Sequence, residues 1–229
     1  MNEFEKTYSQ SEVKTLNAYI NDTFKWLMIG VAVTFVTAFT VEKSHIMNQF
    51  YDHSLLPVVM LLVEFGIAMY FSLKLFKMNP VAAKILFLVY AFLTGLSFSL
   101  IISFYTAASV AMAFLVSAVF FGVLVLVGSY TRIDLTRIGN ICCIGLIVYI
   151  VYALLAMVFG WSQFLLPFIA LALFTGITAY DMQKTIHFYF QFQSDEMMIK
   201  RLSIFSAFNL YLDFINIFIQ LLRIFGDNE

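Results

Sequence analysis

Seven long apolar segments dominate this chain and leave few folds open to it. Each holds about 20 mostly apolar residues, which is the length that an α-helix needs to cross a lipid bilayer. We place the segments at roughly 24–41, 55–76, 81–103, 107–129, 138–158, 164–185 and 202–225. The chain is 62% hydrophobic and 12% charged, whereas a soluble domain is about 25% charged. The sequence therefore predicts an all-α, polytopic membrane protein with seven transmembrane helices.

The chain divides into an N-terminal tail, one transmembrane domain and a short C-terminal tail: 1–23, 24–225 and 226–229. In the first tail, Val13, Leu16 and Ile20 recur at helical spacing and predict a short amphipathic helix at the membrane interface. The break at 104–106 is the weakest one, so six spans with one long hairpin remain an alternative. Because the loops are short, we expect the function to lie within the helix bundle.

The basic residues predict how the chain is oriented. With seven spans, all but two of the 13 Lys and Arg fall on the side of the N-terminus. They are Lys6, Lys14, Lys25, Lys74, Lys77, Lys84, Arg132, Arg137, Lys184, Lys200 and Arg201. Only Lys43 and Arg223 fall on the other side. Since basic residues mark cytoplasmic loops, we expect a cytoplasmic N-terminus and a C-terminus on the opposite side.

Several functional classes find little support in the sequence. The formal charge of −1 gives no basic surface for nucleic acid. Cys142 and Cys143 are adjacent, so they cannot form a disulfide without strain, and we interpret them as small buried residues. The histidines (His45, His53 and His187) lie in or near loops, form no ligand cluster and match no metal-binding spacing. We expect no resident cofactor.

Three acidic residues fall inside the predicted spans: Glu64, Asp181 and Asp213. A carboxylate at the centre of a bilayer costs roughly 2.5–3.5 kcal/mol on insertion scales, so such residues are rarely kept without a use. Asp213 shares about 60° of helix circumference with Asn209, Asn216 and Gln220, and Ser206 adjoins the same arc. We call Asn209, Asp213, Asn216 and Gln220 the polar arc. Because it must face protein or water rather than lipid, we expect span seven to lie at the centre of the bundle.

The sequence leaves two roles open for the other two carboxylates. Asp181 recurs at helical spacing with Thr175, Thr178 and Thr185, but threonines in membrane helices often bond only to their own backbone. Asp181 either reaches water at the headgroups or, if span six continues to Phe192, lies deeper. Glu64 is either a pore carboxylate or a neutral side chain that bonds to a neighbouring helix.

Spans six and seven are antiparallel neighbours, because one short loop joins them. If Asp181 and Asp213 faced each other at similar depth, they would share a proton and titrate as a pair. A protonated pair would hold the two helices together, and an ionised pair would push them apart. Carboxylate oxygens are also suitable ligands for Ca²⁺, so both residues are candidates for transient contact with this ion. Asp181 lies nearer the cytoplasm by our boundaries, so a pair needs helix tilt or a longer span six.

The stretch NLYLDFINIFIQLLRIFG in span seven, with AYDMQ at the end of span six, resembles the Bax inhibitor-1 family (transmembrane Bax inhibitor motif proteins), in particular its bacterial members. The resemblance implies that six helices wrap around a central C-terminal helix and that the protein is a pH-sensitive Ca²⁺ leak channel. Asp181 and Asp213 look like the paired aspartates of the family, which act as pH sensor and gate. Glu64 looks like its acidic residue of span two, near the pore.

One position departs from the family pattern. Bacterial relatives place an arginine eleven residues after the span-two glutamate, where it engages the aspartate pair. Here that position is Leu75, with Lys74 beside it and Lys77 two residues further on. Lys74 projects about 80° away from the face of Glu64, so it is a weak candidate for the cation of the latch.

Three other functions stay open at this point. A proton-coupled transporter would also need carboxylates in its bundle, although no inverted repeat is visible. A scaffold that regulates other membrane proteins would transport nothing. An intramembrane aspartyl protease would need a Gly-x-Gly-Asp stretch, whereas Asp213 follows Asn-Leu-Tyr-Leu, so we expect no enzyme. We expect the lipid bilayer, Ca²⁺ and protons as partners, and a bacterial cytoplasmic membrane as the location.

Overall fold

The computed structural model describes residues 10–44, 56–74 and 77–227. Seven α-helices account for most of them, and they follow one another without a strand between them in this part of the chain. The helices are α1 (Gln10–Lys43), α2 (Leu56–Lys74), α3 (Pro80–Ile102), α4 (Ala107–Tyr130), α5 (Thr136–Phe159), α6 (Leu166–Phe192) and α7 (Glu196–Phe225). The prediction of an all-α protein with seven helices is therefore confirmed.

The helix boundaries have local causes in the sequence. Asn79 accepts a hydrogen bond from the backbone of Val81 and caps α3, and Pro80 occupies the first turn, where its missing N–H costs nothing. The weak break at 104–106 is a real one, because Thr106 caps α4 by accepting a bond from the Ser109 amide. α5 ends at Gly160, whose φ of 68° is a left-handed conformation that favours glycine.

α7 lies at the centre of the bundle, as predicted. More than half of its residues are buried, which is the largest share in any helix. It packs directly against α1, α3, α4 and α6. α5 lies mainly against α6, and α2 lies mainly against α3, although Phe71 of α2 reaches the ring of Phe208 on α7 at 4.6 Å. The centre of the fold is thus the helix that carries the polar arc.

The outer faces of the bundle are apolar, as contact with lipid requires. Within the described part of the chain, six helices are long and apolar enough to cross a membrane, and α2 is the exception. α5 is almost entirely exposed, since only Gly139 and Ala156 are buried in it. Isoleucine, valine and leucine side chains cover its outer face. This surface fits a bilayer, where neighbouring acyl chains replace a protein core.

The N-terminal segment differs from the expected tail. Gln10–Lys43 is one continuous helix, so the segment does not form a separate helix at the interface. Tyr19 and Thr23 are buried, and both bond to serines of α7. These contacts explain why the first turns of α1 pack into the bundle. Val13 and the first nine residues lie outside the described side chains.

Glycine lets two helices approach closely beside the predicted site. A Cβ added to Gly128 of α4 would overlap the carbonyl oxygen of Ala179 on α6, and it would lie 2.9 Å from the Cβ of Met182. Small residues at such crossings are typical of membrane helices, because they allow two backbones to touch. Gly128 therefore fixes the position of the α6 segment that includes Asp181.

Candidate functional site

Asp213 is the most deeply placed carboxyl group in the described structure. Only 3% of its surface is exposed, and its Oδ2 atom has no hydrogen-bond partner among the described residues. Phe214 and Leu210, its neighbours on α7, are buried as well. Since an unpaired buried charge costs several kcal/mol, an ionised Asp213 would strongly favour a conformation in which water or a cation reaches it.

The other residues of the polar arc differ from one another in burial and in hydrogen bonding, although their spacing is regular. Gln220 is buried, and its Oε1 atom also lacks a hydrogen-bond partner in the described structure. Asn209 and Asn216 are half-buried, and the Asn216 side chain donates a 2.7 Å bond to the carbonyl of Leu212 one turn earlier. Asp213 and Gln220 are therefore the two members of the arc that hold an unsatisfied oxygen inside the protein.

Asp181 lies on the neighbouring helix but does not bond to Asp213 in the described structure. The two carboxyl groups interact electrostatically. Asp181 lies eleven residues before the end of α6, and Asp213 lies seventeen residues after the start of α7. Counted in residues, the two groups therefore lie at different distances from the three-residue turn that joins these helix ends. The longer span six that we considered is present, because α6 continues to Phe192.

The threonines of α6 bond to their own helix. Thr175, Thr178 and Thr185 each donate to the carbonyl four residues earlier, at 2.7–2.8 Å. Thr185 bonds in this way to the backbone of Asp181. The hydroxyl groups of these threonines are thus bonded to the backbone of their own helix, which is one of the interpretations that the sequence allowed. Among Thr175, Thr178, Asp181 and Thr185, the side chain of Asp181 is therefore the one that can respond to an ion.

Lys184 is the cation that acts on both aspartates, and sequence reasoning missed it. Its ammonium lies over the rings of Tyr180 and Phe188, 5.6 Å from each centroid, and 5.9 Å from that of Phe205. Its charge reaches Asp181 and Asp213. The only signal in the sequence was its position, three residues after Asp181. By contrast, Lys74 is exposed at the end of α2, and Leu75 lies outside the described residues.

Glu64 belongs to a separate cluster. It accepts a short hydrogen bond from Ser97 of α3, and its charge reaches Tyr90 and Tyr211. The hydroxyl of Tyr211 lies 2.6 Å from that of Thr34 on α1. Tyr211 and Asp213 project about 160° apart on α7, so Glu64 lies on the opposite face of the central helix from Asp213. The three intramembrane carboxylates therefore form two sites.

A third polar cluster joins α1, α6 and α7 at the end of the bundle where α7 begins. Asp22 accepts a 2.8 Å bond from Ser203 of α7, and the hydroxyl of Tyr19 lies 3.2 Å from that of Ser206. Tyr189 of α6 bonds to Thr15 of α1. Asp22 lies in the segment 1–23 that we interpreted as a tail, so this cluster was not predicted, although the polar residues of α1 recur at helical spacing.

The loop between α4 and α5 is anchored by the motif at the end of span six. Gln183, the last residue of AYDMQ, accepts a 2.9 Å bond from the amide of Leu135 and donates a 2.9 Å bond to the carbonyl of Ile133. In the same loop, the amide of Thr136 donates a 2.9 Å bond to Asp134. Hydrogen bonds from the side chain of Thr136 first, and then from its backbone amide, lower the pKa of Asp134 below its usual value. Asp134 is therefore ionised throughout the physiological pH range.

Within the described residues, no group of three or more His, Cys, Asp or Glu lies close enough together to hold a metal ion. His187 is exposed on α6 rather than in a loop, and His45 and His53 lie outside the described residues.

Comparison with known proteins relates this arrangement to a family of membrane proteins. A family model described as "Inhibitor of apoptosis-promoting Bax1" matches residues 16–229. The inner membrane protein YbhL of Escherichia coli (strain K12) is 34% identical over 219 residues, which are 93% of each chain. A protein of Borreliella burgdorferi is 33% identical over 226 residues, 97% of each chain. A protein of Rickettsia prowazekii is 34% identical over 216 residues, 93% of this chain and 91% of that one.

Proposed function

Because this chain belongs to the Bax inhibitor-1 family of membrane proteins, we propose that it is a pH-sensitive leak channel for cations, Ca²⁺ in particular, with Asp213 as the proton-sensing gate. The observation that carries this proposal is the burial of Asp213 on the central helix, with an oxygen that has no hydrogen-bond partner in the described structure. The E. coli relative is an inner membrane protein, which supports the same location here. The basic end of the bundle then faces the cytoplasm.

The proposed gate works through the cost of a buried charge. The conformation described here favours a neutral Asp213, because no described residue forms a hydrogen bond to its Oδ2 atom and Asp181 adds a like charge. The ionised form is accommodated by a second conformation, in which α6 and α7 separate enough to admit water or a cation. Raising the pH therefore shifts the population toward the second conformation, by the linkage between proton binding and conformation.

The neighbours of Asp213 adjust this balance. Asp181 adds a like charge on the facing helix, which favours separation of α6 and α7 when both groups are ionised. Lys184 opposes this repulsion because its charge reaches both carboxylates. In the proposed channel, Lys184 takes the place that the resemblance assigns to a cation from span two.

The remaining residues of the polar arc would line the path beyond the gate. Gln220 presents an unsatisfied oxygen on the same helical face as Asp213, about two turns further along α7. Asn209 and Asn216 are partly accessible. Such oxygens can replace part of the hydration shell of a cation. Glu64 would act from the opposite face of α7, where its bond to Ser97 couples α2 to α3.

The decisive variant is Asp213→Asn, in which an amide cannot ionise. Purified protein in liposomes loaded with a Ca²⁺ dye should give a flux that rises from about pH 5 to pH 8. In the variant, we expect this rise to disappear. Asp134→Asn is the matched control, since Asp134 is an exposed carboxylate of the α4–α5 loop. A variant that keeps the wild-type pH profile would show that Asp213 is not the sensor.

A further inference from the structure

A cleft of about 460 Å³ opens at the end of the bundle where α7 begins. It lies between α1, α6 and α7. Most of its lining residues are polar or charged, among them Tyr19, Asp22, Glu196, Lys200 and Ser203. Among the described residues, the charged groups that line it are two carboxylates and one ammonium. The described lining therefore carries an excess of negative charge.

The three charges of the cleft are held differently. Glu196 and Lys200 neutralise each other, because they form an ion pair of 2.6 Å on exposed turns of α7. Asp22 lies deeper and is half-buried, where its Oδ2 atom accepts a bond from Ser203. Because this serine is neutral, no ion pair is described that compensates the negative charge of Asp22 in this part of the chain. Asp22 is therefore the group in this cleft that attracts a cation.

From the floor of the cleft, serine residues of α7 extend toward the proposed gate. Ser203 and Ser206 precede Asp213 by ten and seven residues, which correspond to about 15 and 10 Å along the helix. Ser206 is buried and adjoins the polar arc, and it contacts the hydroxyl of Tyr19, which also lines the cleft. Hydroxyl groups thus continue the polar surface from the cleft to within about two turns of Asp213.

We propose that this cleft is the mouth through which hydrated cations approach Asp213, and that Asp22 is the carboxylate that concentrates them there. The part of this inference that concerns flux rests on the proposed channel function. The part that concerns cation binding in the cleft does not, so the two can be tested separately.

The first experiment measures the electrostatics of the cleft without any flux. Ala18→Cys, at an exposed position that lines the cleft, is introduced into a chain in which Cys142 and Cys143 are replaced by alanine, and it is labelled with a cationic and an anionic methanethiosulfonate reagent of similar size. We expect faster labelling by the cationic reagent, and a several-fold fall in this preference when Asp22→Asn is added. Millimolar Ca²⁺ should slow the cationic reagent only while Asp22 is present. Equal rates for both reagents, or a preference that survives Asp22→Asn, would overturn the inference.

Two further positions control for folding and access. Gln193→Cys lines the same cleft from the end of α6 and is exposed, so it reports on the cleft if Ala18→Cys disturbs the structure. Ile204→Cys is the negative control, because Ile204 lies beside the cleft on α7 and is 0% exposed. Labelling of Gln193→Cys with the same charge preference would support the mouth. Labelling of Ile204→Cys as fast as Ala18→Cys would overturn it.

The second experiment measures flux. In liposomes, Asp22→Asn should raise the Ca²⁺ concentration for half-maximal flux several-fold and leave the pH profile in place, while Asp134→Asn should change neither. An unchanged half-maximal concentration in a conducting channel would overturn the inference and leave the proposed function intact. If the wild type carries no flux while Ca²⁺ still protects Ala18→Cys in an Asp22-dependent way, the channel function fails and the cation site in the cleft stands.

Discussion

Replacing Gly128 by alanine should loosen the contact between α4 and α6 that positions Asp181. The added Cβ would overlap the carbonyl oxygen of Ala179 and lie 2.9 Å from the Cβ of Met182, and real Cβ atoms essentially never approach a neighbour within 3.0 Å. Both neighbours are close to the backbone of α6, so a side-chain rotation cannot relieve the overlap. Inserting a methyl group into a packed interior costs about 1–3 kcal/mol.

Gly122→Ala on the same helix is the matched control. A Cβ at this position meets nothing within 4 Å. Both substitutions gain the helix propensity of alanine over glycine, about 1 kcal/mol, so this gain cancels when the two variants are compared. The difference between their unfolding free energies is then the overpacking cost alone, about 1–3 kcal/mol.

The assay is reversible unfolding by SDS in mixed detergent micelles, monitored by the far-UV circular dichroism of the helices. We expect Gly128→Ala to unfold at a lower SDS fraction than Gly122→Ala. It should also alter the pH profile of flux, because α6 carries Asp181. Equal unfolding free energies in the two variants would refute the close approach of α4 and α6.

Three further predictions concern the polar groups. Thr34→Val removes the hydroxyl that bonds to the hydroxyl of Tyr211, which is fully buried. The unfolding free energy should therefore fall by about 1–3 kcal/mol in the same SDS titration. An equal fall for Thr34→Val alone and for the double variant with Tyr211→Phe would indicate that the bond contributes nothing. Lys184→Met removes the cation that opposes the repulsion between the two aspartates, so α6 and α7 should separate more readily and the pH profile of flux should move toward lower pH; an unmoved profile would exclude this role. Because the pKa of Asp134 is lowered in the folded protein, the stability that its bond adds is present above about pH 4 and is lost only as the pH falls further; Asp134→Asn should therefore leave unfolding curves between pH 5 and pH 8 parallel to those of the wild type, and a pH-dependent gap between them would contradict this assignment.

The fold was accessible from the sequence because two simple patterns determine it. Apolar runs of about 20 residues set the number of helices, and the polar arc of span seven identified the helix that had to lie inside. The same pattern named Asp213 as a buried carboxyl group. These features depend on residues close together in the chain, which is where helical periodicity is informative.

The features that the sequence missed depend on contacts between distant segments. The rings around Lys184 come partly from Phe205 on the next helix, and the cleft around Asp22 needs side chains from three helices. The first turns of α1 seemed peripheral because the tail is polar, yet Tyr19 and Thr23 are buried by α7. The continuation of α6 to Phe192 likewise concerns a helix end, whose position local sequence indicates only approximately.

The most direct test of this account compares Ca²⁺ flux in liposomes for the wild type and Asp213→Asn between about pH 5 and pH 8. The account predicts a flux that rises with pH in the wild type and shows no pH dependence in the variant. The same pH dependence in both proteins would contradict the gate. A wild-type flux no greater than that of empty liposomes at every pH would contradict the channel itself and favour a transporter or a scaffold.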